Sequence, residues 1–204
     1  MVNYLIVLFA ITLIYFSSAE RLITYVKLIA FQGLLLCGIA VVELREVNIA
    51  NLLFIVAETL IFKAIVLPYL LNRIIRRSGV KKVHRQAMPG FYLLLFSIFG
   101  LLISVVLAMI LINPFINTIY LAIALFTLFT GLLLIVTHKL IISHLIGFLI
   151  IENAVFLFSL AIGNEMPMLI NIGILLDIFV GVLILGFFGL RLKPHTNELT
   201  MLKD

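Results

Sequence analysis

The feature that most constrains this chain is a series of long apolar runs that fill most of its length. A helix that spans a bilayer needs about 20 consecutive apolar residues, and the runs reach that length before polar residues interrupt them. Hydrophobic residues make up 65% of the sequence and charged residues 11%, which leaves too little polar surface for a water-soluble domain. The runs are too continuous for the strands of a membrane barrel. The sequence therefore predicts an all-α integral membrane protein.

Polar breakers divide the chain into about seven predicted transmembrane helices. We predict spans at 2–18, 22–43, 50–72, 90–112, 115–136, 140–162 and 166–190. The first span lacks the positive leading region of a signal peptide and is interpreted as a helix. The predicted organisation is a three-helix membrane unit (1–72), a basic cytoplasmic loop (73–89), a linking helix (90–112), a second three-helix membrane unit (115–190) and a cytoplasmic tail (191–204).

The distribution of lysine and arginine predicts the orientation, because these residues collect in cytoplasmic loops. One loop contains Arg73, Arg76, Arg77, Lys81, Lys82 and Arg85. The end of the third helix is therefore predicted to be cytoplasmic, with the N-terminus outside and the C-terminus inside. In this arrangement every basic residue except Arg45 and Lys63 lies on the cytoplasmic side. The net charge of +5 is thus explained by membrane insertion, and a nucleic-acid-binding surface is not needed.

The first three and last three predicted helices show signs of a parallel repeat. Glu46 is followed twelve residues later by Glu58, and Glu165 is followed twelve residues later by Asp177. The preceding helices contain the similar stretches LIAF (28–31) and LIGF (145–148). Because corresponding members are four positions apart in the order of the helices (1 and 5, 2 and 6, 3 and 7), the two copies would run in the same direction. Inverted repeats, which are common in secondary transporters, would run in opposite directions.

Four charged residues lie within the predicted membrane helices, namely Glu58, Lys63, Glu152 and Asp177. A charge at the bilayer centre costs at least about 2.5–3.5 kcal/mol, so these residues are the main functional candidates. Glu152 lies 13 residues before Glu165 and Asp177 lies 12 after it. At about 1.5 Å per residue, both acids are therefore roughly 18–20 Å below the same outer loop. If both point into the interface between the sixth and seventh helices, repulsion and desolvation would raise the pKa of at least one of them toward neutrality. Such a group can take and release a proton, which predicts an ion-relay pair.

The third predicted helix contains both Glu58 and Lys63. In an α-helix, residues five apart are separated by about 140° around the axis, so each of the two needs a partner from another helix. Pro68 cannot donate to the carbonyl of Ala64, which predicts a kink beside Lys63. The alternative interpretation is that the buried charges only pair with one another to hold the helices together.

The other polar residues give weaker signals. Gln32 and His144 lie inside predicted helices and are candidates for the relay or for polar packing. Cys37 is the single cysteine and lies in an apolar run, so no disulfide framework, zinc site or iron–sulfur site is predicted. We predict no catalytic residue, metal site or cofactor site in this chain.

Several stretches resemble a known family. They are AFQ (30–32), FKAIVLP (62–68), LIGFLIIEN (145–153), NIGILLD (171–177) and NELTMLK (197–203). In these stretches the chain resembles component E of hydrogenase-4, a membrane subunit of group-4 [NiFe]-hydrogenases and formate hydrogenlyases. The last three helices of that family resemble the K subunit of respiratory complex I and component C of multisubunit Na⁺/H⁺ antiporters. The resemblance covers nearly the whole chain and is weakest in the fourth and fifth helices.

The resemblance implies a non-catalytic subunit that moves protons, or alternatively sodium ions, within a complex I-like energy-converting hydrogenase of a prokaryotic inner membrane. Glu152 matches the first relay acid of the K subunit, and Asp177 stands where that subunit has a glutamate. The implied partners are antiporter-like and hydrogenase-module subunits, which would hold the nickel–iron centre and the iron–sulfur clusters. Two other interpretations remain: a scaffold subunit without ion transfer, and a stand-alone secondary transporter.

Overall fold

The computed structural model describes residues 2–19, 21–43, 49–78, 89–111 and 113–162. Within these ranges the chain is helical and has no strand, which confirms the predicted all-α class. The elements are α1 (Val2–Ser18), α2 (Leu22–Glu43), α3 (Ile49–Ala57), the π-helical segment π1 (Glu58–Val66), α4 (Leu67–Ser78), α5 (Gly90–Ile110), α6 (Thr118–Thr137) and α7 (Ile141–Ile162). The predicted span 166–190, which includes Asp177, lies outside the described residues.

Five stretches of the described chain are long and apolar enough to cross a membrane. They are Leu22–Glu43, Ile55–Arg76, Gly90–Ile110, Thr118–Thr137 and Ile141–Ile162. Helix α1 is also apolar but shorter. The chain is therefore a membrane-embedded helical protein.

The third helical stretch differs from the prediction in length and in geometry. It continues to Ser78 and so includes the first part of the predicted loop 73–89. Basic side chains at a helix C-terminus interact favourably with the helix dipole, which allows the helix to extend past the apolar segment. Its middle segment, π1, has the wider turns of a π-helix. At its end, the N–H of Leu67 is bonded to the carbonyl of Phe62, five residues back. A continuous α-helix was expected here.

The π-helical geometry changes two details that were inferred beside Lys63. In the register of the Leu67 bond, Pro68 lies opposite the carbonyl of Lys63, whereas the sequence prediction placed it opposite the carbonyl of Ala64 on the assumption of an α-helix. The separation of about 140° between Glu58 and Lys63 assumed an α-helix and does not apply to this segment. The side chain of Glu58 is outside the described part.

Helices α6 and α7 form an antiparallel hairpin with very close backbones. A Cβ atom added to Gly131 would lie 2.8 Å from the carbonyl oxygen of Gly147, and one added to Gly147 would lie 2.9 Å from that of Gly131. At the other end, the side chain of Asn117 accepts from the first N–H groups of α6, while its own N–H donates to the carbonyl of Ala161 at 2.8 Å. Small residues and a polar cap thus fix α6 against α7.

Helix α5 lies at the outside of the bundle. Its buried residues follow one stripe, which consists mainly of small side chains: Leu93, Ser97, Gly100, Ser104 and Ala108. Most of its other side chains are large, apolar and exposed. Membrane helices pack closely through small residues, so α5 has one face toward the bundle and its other faces away from it.

Candidate functional site: a buried ion pair beside a polar chain

A buried ion pair joins π1 to α7. The Nζ atom of Lys63 lies 2.9 Å from Oε1 of Glu152, and the two side chains are only 6% and 7% exposed. An isolated charge in this environment is strongly unfavourable, whereas two opposite charges in contact compensate each other. The sequence indicated that Lys63 needs a partner from another helix but did not identify Glu152 as that partner.

An aromatic ring also contacts the Lys63 ammonium. Its Nζ lies 5.5 Å from the centre of the Phe156 ring, a distance at which a cation is attracted to the face of an aromatic ring. Phe156 follows Glu152 by four residues and therefore lies one turn along α7 on the same face. One helix thus provides both the carboxylate and the ring that hold the ammonium.

A glycine on α2 allows the π1 backbone to come close. A Cβ atom added to Gly33 would lie 2.9 Å from the backbone nitrogen of Ala64 and 3.1 Å from the carbonyl carbon of Lys63. Any side chain at this position would therefore push α2 and π1 apart. π-Helical turns occur frequently at functional sites, and this one contains the residue that forms the ion pair.

A chain of buried hydrogen bonds lies next to the ion pair. Asn153 Nδ2 donates to Gln32 Oε1 at 3.2 Å, and Gln32 Nε2 donates to Thr12 Oγ1 at 2.9 Å. Thr12 then donates to the carbonyl of Phe9 at 2.6 Å. Since Asn153 follows Glu152 and Gln32 precedes Gly33, the polar chain and the ion pair occupy neighbouring positions where α1, α2, π1 and α7 meet.

The other predicted site residues are not part of this arrangement as described. His144 lies near the start of α7 and is partly exposed, about 12 Å from Glu152 along the helix axis at 1.5 Å per residue. The side chain of Glu58 and all of Asp177 are outside the described part, so the predicted pairing of Glu152 with Asp177 stays a prediction. Thr12 and Asn153 were missed, although each is a polar residue within an apolar run.

The described part contains no cluster of three or more His, Cys, Asp or Glu side chains that could hold a metal ion. Cys37 is a free thiol and is partly buried. The charged groups that the described part places at the site are those of the ion pair. The contact joins an ammonium, which can only donate hydrogen bonds, to a carboxylate, which can only accept them.

No protein-family model, curated protein or solved structure matches this chain.

Proposed function

We propose that this chain is an ion-translocating membrane subunit, for protons or alternatively sodium ions, of a complex I-like energy-converting hydrogenase or formate hydrogenlyase. The observation that carries the proposal is the buried contact between Lys63 and Glu152. Ionisable residues within membrane helices are costly, and where they pair with one another they often mark ion pathways. The resemblance to component E of hydrogenase-4 supports the type of complex.

In the proposed mechanism, Lys63 controls the charge state of Glu152. While the ammonium contacts Glu152, it neutralises the carboxylate. When the ammonium moves away, a proton takes its place on the carboxylate, because a charge buried between membrane helices needs a compensating partner. The proton then passes to Asp177, the second member of the proposed relay, and the return of Lys63 restores the starting state.

The proposed architecture consists of seven spans with the N-terminus outside, the C-terminus in the cytoplasm and a parallel repeat of helices 1–3 and 5–7. In this arrangement Lys63 belongs to the first three-helix unit and Glu152 to the second. The ion pair then couples the two units, and a change in its protonation would affect the packing between them.

The proposed partners are antiporter-like and hydrogenase-module subunits in a prokaryotic inner membrane, with the nickel–iron centre and the iron–sulfur clusters in those partners. Purification in mild detergent should therefore recover a multisubunit complex. A monodisperse single chain that transports a solute on its own would instead support a stand-alone secondary transporter.

The second candidate function is a scaffold subunit without ion transfer. The same ion pair favours it, because two buried charges that compensate each other can fix the packing of π1 on α7. The two candidate functions require different things of the ion pair. A scaffold requires only opposite charges at positions 63 and 152. A relay also requires that the carboxylate is the one on α7.

Exchanging the two charges separates these candidates. We would compare wild type, Lys63→Glu, Glu152→Lys and the double variant in sealed vesicles, and measure assembly and redox-driven ion movement. The relay requires that the double variant recovers assembly but still lacks ion movement. A double variant that recovers both would establish the scaffold role and refute the relay.

A further inference from the structure

A second cluster of buried polar groups lies where α1 and α6 end and α2 and α7 begin. His138 follows α6 directly and is 3% exposed. Its Nε2 lies 3.3 Å from the hydroxyl of Tyr25, and its Nδ1 lies 3.1 Å from the carbonyl of Leu134 and 3.0 Å from Thr137 Oγ1. In the sequence this histidine lies between the predicted spans 115–136 and 140–162, and no role was predicted for it.

The hydroxyl groups beside the imidazole direct their protons to other acceptors. The Tyr25 hydroxyl donates to the carbonyl of Ala19 at 2.8 Å. The Thr137 hydroxyl donates to the carbonyl of Leu133 at 2.6 Å. Both ring nitrogens of His138 therefore face oxygen lone pairs.

The doubly protonated imidazolium suits this environment, because it has an N–H on each nitrogen. Its Nδ1–H donates to the Leu134 carbonyl and its Nε2–H donates to the Tyr25 oxygen, while Tyr25 keeps its bond to Ala19. A neutral imidazole has only one N–H. In the neutral ring Nδ1 keeps its proton, because the Leu134 carbonyl opposite it can only accept a hydrogen bond. The bare Nε2 then competes with the Ala19 carbonyl for the proton of Tyr25.

Other effects oppose protonation. Burial lowers the pKa of His138 from its usual value, the hydrogen bond to Leu134 raises it, and the charge of His144 on α7 lowers it. The exposed Lys139 is next in the chain, and the exposed Arg21 lies at the start of α2. In the described part no carboxylate forms an ion pair with His138. The groups that favour the charged form of His138 are therefore its hydrogen-bond acceptors, the Leu134 carbonyl and the Tyr25 oxygen.

A small cavity of about 10 Å³ lies next to His138. Ser17, Thr130, Thr137 and His138 are among the residues around it, but the surface that faces the cavity is mainly apolar. Helices α1, α5 and α6 all contribute to it. The histidine therefore lies beside a small gap in the packing at the end of α6.

We propose that His138 is a proton-binding site of this chain, and that its protonation state is transmitted to the turn between α1 and α2 through Tyr25 and Ala19. Proton binding leaves the Tyr25 hydroxyl fully bonded to Ala19, and proton release weakens that bond by adding Nε2 as a competing acceptor. The site is separate from the Lys63–Glu152 pair, and its test does not depend on ion translocation.

The test is a ¹⁵N NMR titration of the histidine side chains in the full chain, reconstituted in lipid with the subunits that copurify. The chain has four histidines, and the spectrum of His138→Gln assigns the signal. The Tyr25→Phe variant keeps the ring but removes the acceptor of the Nε2–H, and should shift the His138 titration down by about one pH unit. The matched control, His144→Gln, should shift it up by a smaller amount. An unchanged titration in Tyr25→Phe would overturn the proposal.

A second measurement on the unmodified chain covers the case in which Tyr25→Phe does not fold. With ¹³C at the Ala19 carbonyl, the infrared band of that group should shift over the same pH range in which His138 titrates. A carbonyl band that is constant across the titration would show that the protonation state does not reach the turn, and the proposal would be wrong.

Discussion

Lys63 and Glu152 connect the third helical stretch to α7 by a contact of 2.9 Å between buried charges. In the proposed repeat, the two residues come from different three-helix units. The ring of Phe156 also contacts the Lys63 ammonium, and Gly33 lies close to the backbone of Lys63 and Ala64. The carboxylate of Glu152, the ring of Phe156 and the close approach at Gly33 together determine where the ammonium lies.

Removing one member of the ion pair should destabilise the protein much more than removing both. Lys63→Met leaves Glu152 without a partner, and breaking a buried pair in this way costs about 3–5 kcal/mol. The double variant with Glu152→Gln leaves no uncompensated charge and should recover most of the loss. The measurement is thermal unfolding in detergent, with the exposed Lys27→Met as the control for losing a positive charge. Equal destabilisation by the single and double variants would contradict the structural role of the pair.

Ion movement should depend on the acidic groups of the proposed relay. Glu152→Gln and Asp177→Asn keep the shape but cannot carry a proton, and should reduce redox-driven ion movement in sealed vesicles by about a hundredfold, the range typical of a lost acid–base group. Glu152→Asp should retain part of the activity. Electron transfer to artificial acceptors in detergent should fall less, because its path lies in the proposed partner subunits. Vesicle acidification at the wild-type rate in both amide variants would refute the relay.

Within the described residues, and apart from the longer third stretch, the sequence predicted where the helices lie, because the length of an apolar run and its polar ends are local properties. It also selected Lys63, Glu152 and Gln32, since polar groups within apolar runs are costly wherever they point. It did not predict the pairing of Lys63 with Glu152. Spacing along a helix gives the depth of a residue in the membrane, whereas the direction of its side chain depends on how the helices pack.

The π-helical geometry was missed for the same reason. Nothing in the local sequence 58–66 distinguishes it from an α-helix with a proline after it. The contact that accompanies the wider turn is made by Gly33, which lies 30 residues before Lys63. Likewise, the polar chain could not be assembled from sequence, because Thr12, Gln32 and Asn153 come from three different helices.

Gly33 should not tolerate a side chain. The Cβ of Gly33→Ala would lie 2.9 Å from the Ala64 nitrogen, so α2 and π1 would have to separate, and overpacking of this kind costs about 1–3 kcal/mol. Gly38→Ala on the same helix is the matched control, because its Cβ would meet only a Leu5 methyl group at 3.4 Å. We expect a lower unfolding temperature and weaker ion movement for Gly33→Ala alone. Equal behaviour of the two variants would show that the close approach is not required.

The polar chain should behave as a coupled unit. Gln32→Leu removes the partner of Asn153 and leaves its buried amide unsatisfied, which costs about 1–3 kcal/mol. Asn153→Leu in the same background removes that unsatisfied group and should restore part of the stability. A double-mutant cycle on unfolding free energies measures the coupling between the two positions. Additive effects would mean that the hydrogen bond of 3.2 Å between them contributes nothing specific.

His138 should make the folded protein less stable in mild acid. Burial lowers the pKa of this imidazole in the folded state, whereas in the unfolded chain it has the ordinary value of about 6.5. As the pH falls through that value, the unfolded state binds the proton first, so the free energy of unfolding decreases until the folded state is also protonated. The His138→Gln variant has no titrating group at position 138. Its unfolding temperature should therefore decrease less than that of wild type between about pH 7 and pH 5. His144→Gln, which removes a partly exposed histidine at the start of α7, is the control for losing any histidine. If the unfolding temperatures of wild type and His138→Gln fall by the same amount over this range while His144→Gln changes the slope, the acid sensitivity belongs to His144 and not to His138.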